Sequence, residues 1–489
     1  MSVFPLGLVG LSVVFVASSM AGGSSWSFLG LTIDRLSVVF LFLGSTVGAV
    51  VFRFSRVYLE GDPGRSRFLR WLLVTVSAAC VMMLSTHLVL LFVGWLVTSV
   101  GLHQLLTFYG DRNESKAPAR KKFLISRLGD LFLGSAIVLI GLTWSTLDLN
   151  ELRSRWAEPM VGPWPTVIGL LIVVAALTKS AQFPFHSWLP ETMESPTPVS
   201  ALMHAGIINA GGVVLIRFAP LISRVPESLF LLSLVGSVTM AVGLLAMWSQ
   251  VSVKRALAWS TVAQMGFMMV QCGLAVYPAA VLHIVGHGFY KAWGFLRSSE
   301  LPRGGMIWPA FPIGNRLATI AAGVVVAIPA LVAASWVFGV SPLESSGEAA
   351  LGTILALSMG VVWSIVLESS DLAIHSASRP TRLALLVFLD LVTAFCGMAL
   401  YRGAGLFLAP VLGDLPIPTG PTAWATAWLP VLVLTVLIVV RAGLPGLVGT
   451  RRGRSWFVQA QHGFYLGAVA DRIVGLIWTR WIGEGRGHA

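Results

Sequence analysis

Six lysines occur in this 489-residue chain, and three of them (Lys116, Lys121 and Lys122) share one polar stretch. Lys179 stands elsewhere. It follows the apolar run from Val167 to Leu177 and precedes Ser-Ala-Gln-Phe-Pro-Phe-His-Ser-Trp-Leu-Pro. A lysine at bilayer depth costs roughly 2.5–3.5 kcal/mol on insertion scales, so it needs a partner or water and marks an ion path. Desolvation makes lysine a switchable proton carrier. The plainer alternative is a lysine near a helix end whose ammonium snorkels to the interface. His204 follows one span later, ahead of Ala-Gly-Ile-Ile-Asn-Ala-Gly-Gly. Small residues there allow close helix packing, and a histidine relays protons near neutral pH; the alternative is a core histidine satisfied by its neighbours. His283, His287 and Lys291 recur every four residues, which puts three titratable groups on one helix face. His-x3-His is also a zinc-ligand spacing, but no acid or thiol offers a third ligand, so no metal and no cofactor are expected.

Other charged residues have weaker contexts. Lys254 and Arg255 open a span, where a topology anchor is the plain reading. Asp34 and Asp130 are placed near span starts, where acids favour a helix N-terminus. Asp130 follows Arg127 by three residues, a spacing that predicts an intrahelical ion pair. Glu368 and Asp371 fall near a helix end and Asp390 within a span.

The elements that must position these groups are transmembrane helices. Hydrophobic residues make up 56% of the chain and charged residues 11%, against roughly 25% charged in soluble domains. Apolar stretches of about 17–25 residues recur along nearly the whole length, too long and too uniformly apolar for barrel strands. The fold class expected is an all-α polytopic membrane protein of 13–14 spans. These fall near 3–21, 30–52, 70–85, 87–108, 128–144, 165–181, 197–219, 229–248, 256–276, 279–296, 317–340, 351–367, 383–401 and 425–444. Between 182 and 198, Pro184, Pro190, Pro196 and Pro198 forbid one continuous helix, so a helix broken after Lys179 is expected; the alternative is a Pro-rich surface connection. Residues 455–481 read as an interfacial amphipathic helix or a last short span. Cys80, Cys272 and Cys396 have no ligand spacing and read as small core residues.

The formal net charge of +12 does not signal nucleic acid. The basic residues lie between spans, where topology explains them. Loops 53–70 and 111–127 are expected on the cytoplasmic side, and so are the basic stretches at Lys254–Arg255, Arg297–Arg316, Arg379–Arg382 and Arg441–Arg454. The two large loops are also the candidate partner-binding surfaces.

The block Lys-Ser-Ala-Gln-Phe-Pro-Phe-His-Ser-Trp-Leu-Pro-Glu-Thr-Met-Glu-Ser-Pro-Thr-Pro-Val-Ser-Ala-Leu-Met-His-Ala (179–205) resembles the signature of the antiporter-like membrane subunits. That family includes the L, M and N subunits of respiratory complex I and the large subunits of Mrp antiporters. Val-Lys-Arg-Ala-Leu-Ala-Trp-Ser-Thr-Val-Ala-Gln-Met-Gly (253–266), the His283–Lys291 stripe and Arg-Leu-Gly-Asp (127–130) agree with it. The resemblance runs from about residue 30 to 300. It implies Lys179 as central proton carrier, His204 beside it on the route, and His283, His287 and Lys291 along a hydrated axis, with Lys254 near it.

Two departures stand out. Family members place a glutamate after a Gly-Trp pair, and here Phe92-Val93-Gly94-Trp95 is followed by Leu96. The acid–lysine switch is therefore absent or rebuilt from another acid such as Asp130. No lysine follows Lys291, so the second-half lysine is missing as well. The shortened pattern, with Ser-Val-Gly-Leu-His-Gln-Leu-Leu (99–106), Ala-Arg-Lys-Lys-Phe (119–123) and Gln-His-Gly-Phe-Tyr (461–465), resembles the DabB branch of inorganic carbon transporters.

That resemblance implies a multi-pass subunit of a bacterial plasma (inner) membrane. It would pass H+ or Na+ and pair with a large zinc-binding, carbonic-anhydrase-like DabA-type partner. CO2 hydration would occur in the partner, so this chain itself is expected not to be an enzyme. The expected organisation is an N-terminal span (1–29), a translocating core (30–300), additional helices (301–454) and an amphipathic tail (455–489). The competing readings are a pump subunit of a complex I or hydrogenase assembly, an Mrp-type antiporter subunit, and a scaffold that has lost conduction.

Overall fold

The computed structural model describes residues 26–110, 113–298, 313–341, 345–368 and 378–478, with four isolated positions near the start. Apart from those positions, the expected span 3–21 lies outside the described residues, as does Asp371. A short hairpin, β1 (Trp26–Phe28) and β2 (Leu31–Ile33), precedes an otherwise helical chain. Among the described residues, ten helices are long and apolar enough to cross a membrane, and Trp164–Lys179 is a shorter apolar helix.

The first half comprises α1 (Arg35–Tyr58), α2 (Arg65–Leu84), α3 (Leu88–Leu106), α4 (Asn113–Trp144), the surface helix α5 (Leu149–Ala157), α6 (Trp164–Lys179), α7 (Trp188–Glu191), α8 (Thr197–Ala205), α9 (Ala210–Arg217) and α10 (Ala219–Ile222). Then follow α11 (Pro226–Trp248), α12 (Val253–Gly273), α13 (Tyr277–Leu296), α14 (Ile313–Phe338), α15 (Ser346–Glu368), α16 (Arg379–Leu412) and α17 (Gly420–Gly449). Every expected span from residue 30 onward falls on one or more of these helices.

Two boundaries differ from expectation for one reason. Stretches 53–70 and 111–127 are largely helical, because α1 runs to Tyr58, α2 begins at Arg65 and α4 begins at Asn113. Lys and Arg are good helix formers, so the backbone ladder continues past the end of each apolar stretch. Asp130 is consequently in the middle of α4 rather than near its start.

Side-chain contacts tie the helix ends into two layers. At one end Arg67 donates to the Phe108 carbonyl, Lys254 to Thr197 Oγ1, and Arg316 to the Ala442 carbonyl. At the other end Ser233 donates to the Thr426 carbonyl and Arg35 to the Phe407 carbonyl.

An ion-pair latch sits at this second end. Asp34 caps α1, accepting from the Ser37 N–H at 2.7 Å while its own N–H donates to Ser37 Oγ. Its other oxygen meets the Arg217 guanidinium at 2.5 Å, and Arg217 also donates to the Met83 carbonyl at 2.6 Å. The N-terminal role expected for Asp34 is thus present, together with a partner 183 residues away.

The tail forms two short helices, α18 (Arg451–Gln461) and α19 (Leu466–Ile477), joined by a kink at Phe464 and Tyr465, both at positive φ. It returns to the first half of the chain. Gln250 donates to the Gln461 carbonyl, and Lys121 meets Asp471 at 2.8 Å and donates to the Gly467 carbonyl at 3.2 Å. Trp481 and Arg480 lie outside the described residues. Of the cysteines, Cys80 and Cys272 are buried as expected, whereas Cys396 is exposed.

Candidate ion-translocation site

α6 stops at Lys179 because the chain cannot continue as helix. Ala181 takes a positive φ, Ser180 Oγ donates to the Ile208 carbonyl, and Pro184 and Pro190 follow. Pro lacks the amide that a helix interior needs. The segment then proceeds through turns, α7 and a single 3-10 turn before α8 begins at Thr197. The broken helix expected after Lys179 is present.

The break is clamped on both sides. A Cβ at Gly129 of α4 would overlap the Thr178 hydroxyl, and one at Gly211 of α9 would overlap Ser180 Oγ and the Ala176 carbonyl. Only glycine lets these backbones approach so closely.

Lys179 is buried. Its ammonium donates to Ser99 Oγ at 2.7 Å and to the Trp95 carbonyl at 3.1 Å, and it lies 4.3 Å from the centre of the Trp95 ring. The same indole donates its N–H to Asp130 Oδ1 at 2.8 Å. Arg127 meets Asp130 Oδ2 at 2.7 Å, which is the expected three-residue pair. Lys179 and Asp130 are therefore joined through one tryptophan rather than by direct contact. Cation–π attraction of this kind is worth about 2 kcal/mol or more once desolvated. Leu96 lies on α3 one turn before Ser99, so the residue in the glutamate's place shares the face that carries a lysine contact.

A second group of predicted residues forms around α12. His204, fully buried on α8, shares a 3.0 Å hydrogen bond between Nδ1 and Thr261 Oγ1 and stacks on Phe295 at 4.3 Å. Lys291 is buried on α13 and donates to the Leu257 carbonyl at 2.9 Å and to Ser260 Oγ. His283 Nδ1 lies 2.7 Å from Gln271 Oε1, and the His283 and His287 rings stand 5.9 Å apart. Lys254 is half-buried at the start of α12. The stripe at His283, His287 and Lys291 is real, and α12 supplies its hydroxyl and amide partners.

Among the described residues, no direct hydrogen bond joins the Lys179 group to the His204 group. Several buried polar atoms have no protein partner: Gln182 Oε1, Asn209 Oδ1, and the Nε2 atoms of His204, His283 and His287. Tyr290 and Trp293, which flank the stripe, are exposed and lie against each other. In the second half Trp363 donates its indole N–H to Asp390 at 2.9 Å.

Sequence reading missed Ser99, Thr261, Ser260 and Gln271, which are small or neutral residues inside apolar helices. It also placed Lys121 and Lys122 in a polar loop, whereas both are buried. The available signal was the eight-residue spacing from Lys122 to Asp130, two turns along one helix face.

The comparisons with known proteins agree with this architecture. Residues 85–365 match the family model described as NADH:quinone oxidoreductase/Mrp antiporter, and residues 20–69 match that of the complex I chain 5 N-terminus. The chain belongs to this family of antiporter-like membrane subunits. Its relatives include a probable inorganic carbon transporter subunit DabB2 of Halothiobacillus neapolitanus, 33% identical over 96% of this chain and 84% of that protein. A probable DabB of Hydrogenovibrio crunogenus is 37% identical over 60% of this chain and 56% of that protein. The NADH-quinone oxidoreductase subunit L of Mycobacterium tuberculosis is 36% identical over 58% of this chain and 44% of its own length. A chain in the structure of the Mrp complex from Dietzia sp. DQ12-45-1b superposes with a TM-score of 0.63 at 24% identity, covering 97% of this chain and 57% of that one. That likeness bears on the fold alone.

Proposed function

We propose that this chain is the ion-translocating membrane subunit of a two-subunit inorganic carbon accumulation complex in a bacterial plasma membrane. It passes H+ or Na+ and energises CO2 hydration to bicarbonate in a large zinc-binding DabA-type partner. The observation that carries the ion-moving part is the buried Lys179 ammonium, held by a hydroxyl, a carbonyl and an indole face beside a helix break. The carbon-transport part rests on likeness to relatives named as inorganic carbon transporter subunits. Residues 30–300 are the translocating core, with Lys179, His204, Lys254, His283, His287, Lys291 and Asp130 along the path and 301–454 as additional helices. Buried polar groups are partnered by protein or by ordered water, so the orphaned imidazole nitrogens favour a hydrated route between the two groups. A second reading, a pump subunit of a complex I-like or Mrp-type assembly, is favoured by the subunit L relatives.

Gentle purification from the native membrane, followed by mass spectrometry, separates the two. A large soluble zinc protein as sole stoichiometric partner, with bicarbonate accumulation lost when the chain is deleted, supports the first. A set of quinone, iron–sulfur or Mrp subunits overturns it.

Leu96→Glu gives a further expectation. A carboxylate one turn from Ser99 would hold the proton on Lys179 more tightly. Flux against pH should move to higher pH by about one unit or more. If the curve does not move, Leu96 is a packing residue outside the path.

A further inference from the structure

Lys121 and Lys122 are sequence neighbours that face different surroundings. Lys121 meets Glu191 at 2.6 Å and Asp471 at 2.8 Å, so its charge is compensated twice. Lys122 points the other way. It is 4% exposed and donates to the Ser99 carbonyl at 2.6 Å. Lys179 donates to the hydroxyl of the same serine at 2.7 Å. Two ammonium groups bonded to two oxygens of one residue stand within roughly 10 Å of each other. Away from solvent, like charges at that range repel strongly.

The other charged and titratable groups facing them are Arg127 and Asp130 on α4 and His103 on α3. Asp130 already pairs with Arg127 at 2.7 Å and accepts the Trp95 N–H. Neither Lys122 nor Lys179 bonds to a carboxylate among the described residues. The cluster therefore holds two lysines, an arginine and a histidine against one acid. The clamp on Lys121 fixes the rotation of α4 and keeps Lys122 turned toward Ser99.

Resting on the carrier reading of Lys179 above, we infer that Lys122 is the positioning residue that governs proton release from Lys179. Its repulsion favours loss of the proton, the opposite of a neighbouring acid, which would hold the proton in place. When Lys179 discharges, one N–H bond breaks, its electron pair stays on nitrogen, and a water molecule on the route takes the proton.

The test is proton flux against pH in liposomes carrying the whole complex, for wild type, Lys122→Met, Lys122→Arg and Lys179→Ala. Without the Lys122 charge, Lys179 retains its proton to higher pH, so the half-maximal point should move up by about one unit, a tenfold change in proton concentration. Lys122→Arg should keep the wild-type midpoint. A Lys122→Met curve that overlays wild type, or a Lys122→Arg curve that moves as far as Lys122→Met, overturns the inference. Should the methionine variant fail to assemble, Lys122→Gln, which keeps a donor for the Ser99 carbonyl, carries the same expectation. Wild-type flux in Lys179→Ala would instead defeat the carrier reading itself, whatever the Lys122 variants show.

Discussion

Lys179→Ala should lower coupled transport by about 100-fold or more, the scale expected when a positioned proton-transfer group is lost, while the complex still assembles. The assembly half of this expectation comes from the site's construction. Removing the ammonium frees the Trp95 carbonyl and Ser99 Oγ and takes a cation from the Trp95 ring face. The Trp95–Asp130 and Arg127–Asp130 contacts that join α3 to α4 and stiffen α4 do not involve the lysine. On the function proposed above, gel filtration with the DabA-type partner reports assembly, and bicarbonate accumulation in cells reports transport. Undiminished accumulation in a correctly assembled Lys179→Ala complex would remove Lys179 from the mechanism.

Arg217→Met should act on stability rather than on flux. Arg217 is 1% exposed and Asp34 8%. Breaking a buried ion pair by removing one partner costs roughly 3–5 kcal/mol, and here Asp34 would keep only Arg153, at 4.0 Å. The variant should accumulate poorly in the membrane and unfold at lower denaturant concentration. Adding Asp34→Asn should recover part of the loss. If the single variant were as stable as wild type, the latch would contribute nothing.

The same latch sets a pH dependence. Burial alone pushes the Asp34 carboxyl up, but the Arg217 guanidinium, the Ser37 N–H and Arg153 outweigh it and hold the group below the ordinary aspartate range. A depressed carboxylate stabilises fully above its unfolded value, near 3.8. That contribution is lost as pH falls through the lower folded value. Acid sensitivity below about pH 4 should therefore weaken in Asp34→Asn.

How much of this was legible in the sequence follows from how local each signal is. A lysine inside an apolar run announces itself, and so does a stripe of two histidines and a lysine at four-residue spacing. Four prolines within fifteen residues forbid a helix whatever surrounds them. Lys121 and Lys122 were hidden for the opposite reason. A charge among charges looks solvated, and only the packing of α4 against α3, α7 and α19 buries it. Arg217 and Asp34 are a pair of distant residues, each ordinary in its own window. The hydroxyls of Ser99, Ser260 and Thr261 are common in membrane helices, and only geometry distinguishes those that hold an ammonium. Helix ends were misplaced where Arg and Lys carry the backbone beyond the apolar stretch, which is why Asp130 proved central to α4.

Among the described residues, the bond from an indole to a buried aspartate occurs twice, Trp95 to Asp130 and Trp363 to Asp390, each between neighbouring long helices. Only the first has an ammonium lying over its ring, since no lysine follows Lys291. The chain thus contains one such joint with a lysine over it and one without. The later helices keep the same fastening between neighbours without a lysine above it, while Lys179 and Lys291 sit in two separate places, at Ser99 and at α12.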